Sequence, residues 1–331
     1  MALDHFVSQV HLKNFYSPKL RGLMYAIRKS DMKLFTPDAR SVCRIENGST
    51  NSYLREDRGV EEFLKAIEPR YNVALEKLMT DKIDPECIFV IAGFVAYVYV
   101  CSPTGMRINS EPMNAIVDHT AKRLDSMGSL PPPPPVLGGK SLTELLERGN
   151  IQITIDPKYP QAIGIASILL LTSTFGNYEW DISINPMEDS PFFTSDFPVA
   201  IEQTDDPRVL NKIIPLAPHL SVRIRPNSAY DTERPDFSFS GFRRTIRKLS
   251  RPEVMKINRL IVRCAETTVF FRENYGWVSD FVKKNACFRV ETRVQKAPYK
   301  KGNLIYTTQE ISKMTEPSVP PDRQETAPAS R

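Results

Sequence analysis

The sequence predicts an α+β protein with a helical core, in which two apolar buried helices pack on a small, mostly antiparallel sheet. One observation behind this prediction is a pair of long apolar runs at residues 87–101 and 162–175. Another is a change of period after Tyr178, where helical spacing gives way to alternation of apolar and polar residues. The first run contains 15 residues, fewer than the roughly 20 that span a membrane. We therefore expect both helices inside the domain.

The first half of the chain shows mainly helical spacing. Apolar residues recur every three or four positions over residues 57–79, with Asp57 as the expected N-cap. Asp84 and Pro85 precede the first apolar run, and proline favours the first turn of a helix. Shorter helices are predicted at residues 8–16, 113–127 and 141–148, and a hairpin is predicted between residues 23–28 and 32–35.

Strands follow Tyr178. Alternation at residues 180–184 and 220–224, and short apolar runs near prolines at residues 192–194 and 199–201, predict strands joined by turns. Helical spacing then returns over residues 250–273.

The domain organisation follows from length and composition. The chain has 331 residues, 41% hydrophobic and 25% charged, as in an ordinary globular protein. We predict a single compact domain over residues 1–310 and a disordered tail over residues 311–331. Five consecutive prolines begin at Pro131 and cannot join a helix or a ladder. We interpret residues 129–137 as a Pro-rich spacer within the domain.

Cysteine and histidine usage indicates the compartment and the chemistry. Five scattered cysteines without a CxxC pair argue against a disulfide framework or a zinc knuckle. The N-terminal residues lack the apolar run of a signal peptide, so we expect a cytoplasmic protein. No two of the four histidines have the i, i+4 spacing of a metal site. No nucleotide-binding or hydrolase motif is present, so no metal is predicted and the cofactor is left unknown.

Positive charge is concentrated in the C-terminal third. From residue 242 onward nineteen Lys and Arg stand against nine Asp and Glu, although the whole chain has a net charge of only +5. Arg243, Arg247 and Arg251 recur every fourth residue, so a helix would place them on one face suited to phosphates. The alternative is a solvated loop and helix start. The segment 242–263 is a candidate site for nucleic acid or another acidic partner.

A set of separate landmarks is shared with one known family. The most specific is a Trp followed by a Thr-Ser-Asp-x-Pro-Val block, here Trp180 and residues 194–199. The others are His5 and Gln9 followed by Leu12 and Phe15, an apolar helix leading from Ala92 to Arg107, a Pro-Leu-x-Pro segment at residues 215–218, and Asn258 with Ala265. Over roughly residues 4–275 the chain resembles the uncharacterised, mainly bacterial family catalogued as domain of unknown function 4238.

The resemblance implies a shared fold, and the family brings no established activity to transfer. Two positions depart from the family pattern. Ser8 stands where members commonly have Pro, and Phe197 stands where members commonly have Asn. The phenylalanine removes a polar group from any site built on the Thr-Ser-Asp block.

The landmarks supply candidate site residues. His5, Asp196 and Arg107 are the candidate catalytic residues, because an imidazole transfers protons near neutral pH and a carboxylate orients it. In the structural alternative, Asp196 accepts backbone N–H bonds at a turn and Arg107 complements the dipole at the end of an apolar helix. The candidate binding residues are Gln9, Glu68 midway along its helix, Thr194, Ser195, Asn258, Arg243, Arg247 and Arg251.

Two functional hypotheses remain open. In one, the protein is a binding or interaction module whose basic C-terminal third docks an acidic partner. In the other, it is a hydrolase of nucleic acid or another phosphodiester, with His5, Asp196 and Arg107 at its site. A hydrolase needs these groups around one open pocket, whereas a binding module allows them to be dispersed or buried in pairs.

Overall fold

Helices and antiparallel sheets share the chain in an α+β fold, which confirms the predicted fold class. The computed structural model describes residues 3–131, 133–206, 209–231, 234–299 and 302–314. Short 3₁₀ turns lie at Glu68–Arg70 and Pro135–Leu137. The helices are α1 (Gln9–Lys13), α2 (Gly59–Ile67), α3 (Tyr71–Met79), α4 (Pro85–Cys101), α5 (Pro103–Ser126), α6 (Leu142–Glu147), α7 (Lys158–Ala166), α8 (Ile168–Gly176), α9 (Arg251–Cys264) and α10 (Val278–Asn285).

The strands form two larger sheets and two ribbons. They are β1 (Leu3–His5), β2 (Tyr25–Arg28), β3 (Leu34–Phe35), β4 (Arg44–Glu46), β5 (Glu179–Ile184), β6 (Thr194–Ser195), β7 (Ala200–Gln203), β8 (Leu210–Ala217), β9 (Leu220–Arg225), β10 (Arg243–Lys248), β11 (Thr268–Phe271), β12 (Phe288–Tyr299) and β13 (Gly302–Lys313). The five-stranded sheet has the order β10-β5-β9-β8-β7, with β10 parallel to β5 and the other pairs antiparallel. The four-stranded sheet, β3-β2-β11-β6, is antiparallel throughout. β1 pairs with β4, and β12 pairs with β13.

Helix α4 lies at the centre of the hydrophobic core. Asp84 caps it by accepting a hydrogen bond from the Cys87 N–H, and Pro85 occupies its first turn. From Cys87 onward its residues are buried all round, apart from Phe89 and Tyr99. An evenly apolar helix must be covered on every side, and α8 is its main neighbour. The predicted pair of apolar helices therefore packs together in the core.

The second apolar run forms two helices where one was predicted. α7 ends and α8 begins at Ser167, whose N–H donates to the carbonyls of Ile163 and Gly164. The bond to the residue three positions back tightens the last turn and interrupts the regular helix.

The long helix predicted over residues 57–79 is also interrupted. Pro69 lacks the N–H that a continuous helix would use, and the 3₁₀ turn around it separates α2 from α3. Helix α2 begins at Gly59 after Arg58, so Asp57 is not its N-cap. Glu68 therefore lies at the break between two helices rather than midway along one.

Helix α5 begins well before the predicted residue 113. Ser102 caps it by accepting a hydrogen bond from the Gly105 N–H, with Pro103 in the first turn. Arg107 consequently lies near the N-terminus of α5 and not at the end of the apolar helix. The prediction that it complements a C-terminal helix dipole is wrong.

The C-terminal part of the chain adds strands that the sequence did not predict. Residues 250–273 form α9 and then β11, rather than one helix. The β12–β13 ribbon packs on α5 and α9. The Thr292 hydroxyl donates to the Ile108 carbonyl at 3.1 Å, and its N–H donates to Glu111 at 2.9 Å. Of the predicted tail, residues 311–313 belong to β13, and residues 315–331 lie outside the described residues.

No single helix among the described residues is long and apolar enough to cross a membrane. Within the same described ranges, one pair of helices, α4 and α5 taken together, reaches the required length and composition, and the two meet at a bend of 63°.

Phe94 tests the importance of the α4 core. Its ring is 1% exposed and stacks on His11 at 4.8 Å between centroids. We expect Phe94→Ala to lower the free energy of unfolding by about 3–5 kcal/mol, because the cavity adds to the lost transfer free energy. Urea unfolding measures this loss. Ile116→Ala, on an exposed part of α5, is the control and is expected to change stability by less than about 0.5 kcal/mol. Equal losses in the two variants would contradict this assignment of the core.

Candidate functional site

His11 joins α1 to the helical core and to the Thr-Ser-Asp block. Its ring is fully buried, and its Nδ1 atom lies 2.8 Å from the Tyr71 hydroxyl oxygen. Its Nε2 lies 2.8 Å from the hydroxyl of Thr194, one of the predicted binding residues. Burial lowers the pKa of His11 to about 3, so the imidazole is neutral at pH 7. One nitrogen therefore donates while the other accepts.

Asp196 holds the turn that follows α9. Its carboxylate accepts hydrogen bonds from the N–H groups of Glu266, Thr267 and Thr268 at 2.7–3.0 Å. The Thr267 hydroxyl adds a fourth bond at 2.6 Å. Burial raises the pKa of Asp196, and the bonds from Thr267 oppose that shift. These contacts are those of the structural alternative, in which the carboxylate accepts backbone N–H groups at a turn.

Lys29 is a buried cation near Asp196. Its ammonium donates to the carbonyl oxygens of Ala265 and of Phe288, the latter at 2.7 Å. Burial lowers the pKa of Lys29 to about 8, while the negative charge of Asp196 acts in the opposite direction. Lys29 thereby ties the end of α9 to the start of the β12–β13 ribbon.

Arg107 is connected to Asp196 through Glu266. Its guanidinium lies 2.7 Å from the Glu266 carboxylate, and the Glu266 N–H donates to Asp196. Arg107 also donates to the Val290 carbonyl at 2.8 Å. Although burial favours the neutral acid, Arg107 holds the pKa of Glu266 below its ordinary value. Arg107 and Asp196 thus belong to one network that fastens the ribbon to the domain.

His5 lies in a separate place. Its Nδ1 lies 3.4 Å from the amide nitrogen of Gln9, and its carbonyl accepts a hydrogen bond from Tyr97. Its Nε2 is buried and has no hydrogen-bond partner within the described part of the chain. Among the described residues, no hydrogen bond or ion pair joins His5 to Asp196 or Arg107. A catalytic role for these three residues stays a prediction.

The remaining landmarks stabilise local structure. Glu68 accepts a hydrogen bond from the Ser8 hydroxyl at 2.5 Å. Ser195 accepts one from the Phe197 N–H at 3.1 Å. Asn258 on α9 accepts from the Phe193 N–H and donates to the Pro191 carbonyl, both at 2.9 Å, and so fixes the segment before β6.

The three arginines of the basic segment do not share a helix face. Arg243 and Arg247 lie on strand β10, and Arg251 begins α9. The helical spacing was misleading because β10 pairs with β5 and this pairing overrides local propensity. Arg247 pairs with Glu253 at 2.5 Å and Arg251 with Asp189 at 2.8 Å.

A cleft of about 990 Å³ opens between the five-stranded sheet, the helices α5 and α8, and the β12–β13 ribbon. We call it the ribbon cleft. None of the candidate residues from the sequence lines it. Its apolar lining includes Ile108, Pro112, Phe175, Leu210, Ile224 and Leu304.

Lys212 is the cation of the ribbon cleft. Its ammonium lies 4.3 Å from the centroid of the Tyr99 ring and 5.9 Å from that of Phe175. Within the described ranges no carboxylate lies within ion-pairing distance of it. Aromatic faces attract a cation without neutralising its charge, so Lys212 keeps a positive charge available to a ligand.

Neutral polar groups complete the ribbon cleft. The side-chain amide of Gln309 donates through Nε2 to the Tyr99 hydroxyl at 2.7 Å. The Oε1 atom of the same amide is buried with no partner among the described groups. Asn109, Tyr178 and Gln295 also line the cleft. The described lining contains no Asp, Glu, His or Cys. Across the described ranges, no group of three or more such residues is arranged to hold a metal ion.

Sequence reasoning missed this cleft because its residues are distant along the chain. Tyr99 lies in the last turn of α4, Lys212 lies on β8, and Gln309 lies on β13. The one available signal was Lys212, a charged residue directly before the apolar run Ile213–Leu216.

A family model described as "Protein of unknown function (DUF4238)" matches residues 4–274. The matched region contains the Asp196 network and the helical core, and ends before the β12–β13 ribbon. No curated protein and no solved structure matches the chain.

We expect His11→Gln to flatten the dependence of stability on pH below about pH 6.5. The folded-state pKa of His11 is about 3, against 6.5 for a free histidine. Between these values the unfolded chain binds more protons than the folded one. Acidification therefore lowers the free energy of unfolding by up to about 1.4 kcal/mol per pH unit.

Urea unfolding at pH 7 and pH 5 measures this slope in both proteins. His119→Gln, on a partly exposed part of α5, is the control and should keep the slope of the natural chain. An equally steep slope in His11→Gln would show that His11 does not remain neutral in the folded protein.

Proposed function

The chain belongs to the DUF4238 family, and we propose that it is a binding protein whose ribbon cleft takes a small organic anion with an apolar or aromatic body. The observation that carries the proposal is the ammonium of Lys212, held over two aromatic rings without a carboxylate partner among the described residues. A charge in a half-buried site is costly unless it is paired. A ligand carboxylate, phosphate or sulfonate would supply the missing partner.

The lining favours an amphipathic ligand over a bare ion. Phe175, Ile108 and Leu304 offer apolar surface, which would bury the body of an organic molecule. A volume of about 990 Å³ is at the upper end of the range typical of small-molecule sites. The unpaired side-chain oxygen of Gln309, Oε1, would accept a hydrogen bond from a ligand hydroxyl or amine.

The same lining favours binding over hydrolysis. General acid–base catalysis uses mostly His, Glu or Asp side chains, and none of these is among the described residues of the cleft. The hydrolase alternative depends on His5, Asp196 and Arg107. Asp196 and Arg107 already bond to neighbouring backbone and carboxylate groups.

The cleft has walls from two parts of the chain. Tyr99, Phe175 and Lys212 lie within the region matched by the family model, whereas Leu304 and Gln309 lie on the ribbon beyond it. We therefore propose that the family core supplies the cation and that the ribbon adjusts the shape of the site.

A pair of fluorescent ligands tests the role of Lys212. 8-Anilinonaphthalene-1-sulfonate carries a sulfonate on an aromatic body, and N-phenyl-1-naphthylamine has the same rings without the charge. We expect the natural chain to bind the sulfonate more tightly. Lys212→Met should weaken sulfonate binding about tenfold or more, since a hydrogen bond to a charged group contributes about 1.5–3 kcal/mol. Binding of the neutral ligand should change little.

Lys256→Met is the matched control. Lys256 is exposed on α9 and pairs with Glu202 at 3.0 Å. It does not line the cleft, so this substitution removes one positive charge and leaves the cleft unaltered. Fluorescence titrations of the three proteins decide the outcome. The proposal fails if Lys212→Met binds the sulfonate as tightly as Lys256→Met does.

A further inference from the structure

Strand β10 is the open edge of the five-stranded sheet. It pairs with β5 on one side, and no described strand pairs with its other side. Five of its six residues are exposed, Arg247 being the exception. The opposite edge, β7, is covered by α9 and β13. The sheet therefore offers one free edge.

The pairing register shows which peptide groups of β10 are free. The N–H of Leu249, just after the strand, donates to the Ile184 carbonyl of β5 at 2.9 Å. Peptide groups alternate in direction along a parallel strand, so Thr245 and Arg247 face β5 as Leu249 does. The N–H and C=O groups of Arg244, Ile246 and Lys248 consequently point away from the sheet.

We propose that β10 binds an extended acidic segment of a partner protein as a sixth strand. An exposed sheet edge is a template for strand addition, in which main-chain hydrogen bonds give affinity and side chains give specificity. This surface is separate from the ribbon cleft, and the proposal does not depend on the function proposed there.

Charge selects the partner. Four of the six residues of β10 are Arg or Lys. Among the described residues, Arg243 donates to the carbonyls of Ser240 and Phe242 and has no carboxylate partner, and Lys248 forms no ion pair. In the Arg244–Asp81 and Arg247–Glu253 pairs each side chain is 39–51% exposed, and such surface pairs exchange at little cost. Arg243 and Arg247 lie on the face of β10 opposite Ile246, so carboxylates on that face of an added strand would face these two cations.

An apolar groove runs beside the strand on its Ile246 side. Ile246 is 40% exposed and Met79 is 43% exposed, and both line a hollow of about 430 Å³ together with Ile184 and His219. Alternate side chains of an added strand would point into this groove, while the carboxylates between them reach the arginines. The expected segment therefore alternates acidic and apolar residues.

A second copy of this chain is the less favoured occupant. Two β10 strands placed edge to edge would set one row of Arg and Lys against another, and like charges directly opposite are destabilising. The same charges that protect an edge from self-association would attract an acidic strand.

The test uses a labelled, blocked peptide of alternating Glu and Val, with an alternating Lys and Val peptide as its charge control. Fluorescence anisotropy should show binding of the Glu peptide alone, weakening as salt is raised. Ile246→Pro removes one outward N–H, at an edge position that tolerates proline. Arg243→Glu reverses a charge on the face opposite Ile246, which the carboxylates of the peptide would contact. Each is expected to weaken binding about fivefold or more.

Lys284→Glu, an exposed change on α10, is the control and should bind as the natural chain does. Thermal melts of each variant check folding, and Arg243→Glu keeps the test decisive if Ile246→Pro does not fold. The proposal is overturned if Arg243→Glu and Lys284→Glu bind the Glu peptide equally. It is also overturned if 8-anilinonaphthalene-1-sulfonate displaces the peptide, which would place it in the ribbon cleft, or if the protein dimerises through β10 instead.

Discussion

The buried carboxylate of Asp196 joins parts of the chain that are distant in sequence. Removing an ion from water costs several kcal/mol unless hydrogen bonds replace its hydration, and here three consecutive N–H groups and a hydroxyl do so. The Asp196 N–H in turn donates to the Thr268 carbonyl. Strand β6 and the start of β11 are therefore fixed relative to each other. Because β11 also pairs with β2, the register of the four-stranded sheet depends on this contact.

The family landmarks around Asp196 extend this constraint into the helical layer. Thr194 bonds to His11, and His11 bonds to Tyr71 at the start of α3. Arg107 on α5 reaches the same turn through Glu266. Polar groups in a low-dielectric interior are stabilising only when every member has a partner. This requirement explains the residue types of the Thr-Ser-Asp block without assigning them a reaction.

Local patterns were enough to predict some elements and not others. Helix α4 could be recognised because its apolar run and its Asp-Pro cap lie within one stretch of sequence. Strand β8 could not, since Pro215 argues against a central strand. The structure accommodates it at a register shift between Pro215 and Ala217. Strand β10 has the arginine spacing of a helix, and only its long-range pairing with β5 makes it a strand. The ribbon cleft likewise requires knowledge of which distant elements meet.

The difference between satisfied and unsatisfied polar groups separates the core from the binding surfaces. Thr194 and Asp196 form their hydrogen bonds within the chain. Arg107 does so through its two terminal nitrogens, while its buried Nε has no partner among the described groups. A ligand would have to break existing bonds to reach these side chains. Other groups have no hydrogen-bond partner among the described residues. These are the ammonium of Lys212, the side-chain Oε1 of Gln309 and the outward peptide groups of β10. A new contact at these groups replaces water alone, and its free energy is not offset by a lost internal bond. For this reason we place recognition at the ribbon cleft and the β10 edge.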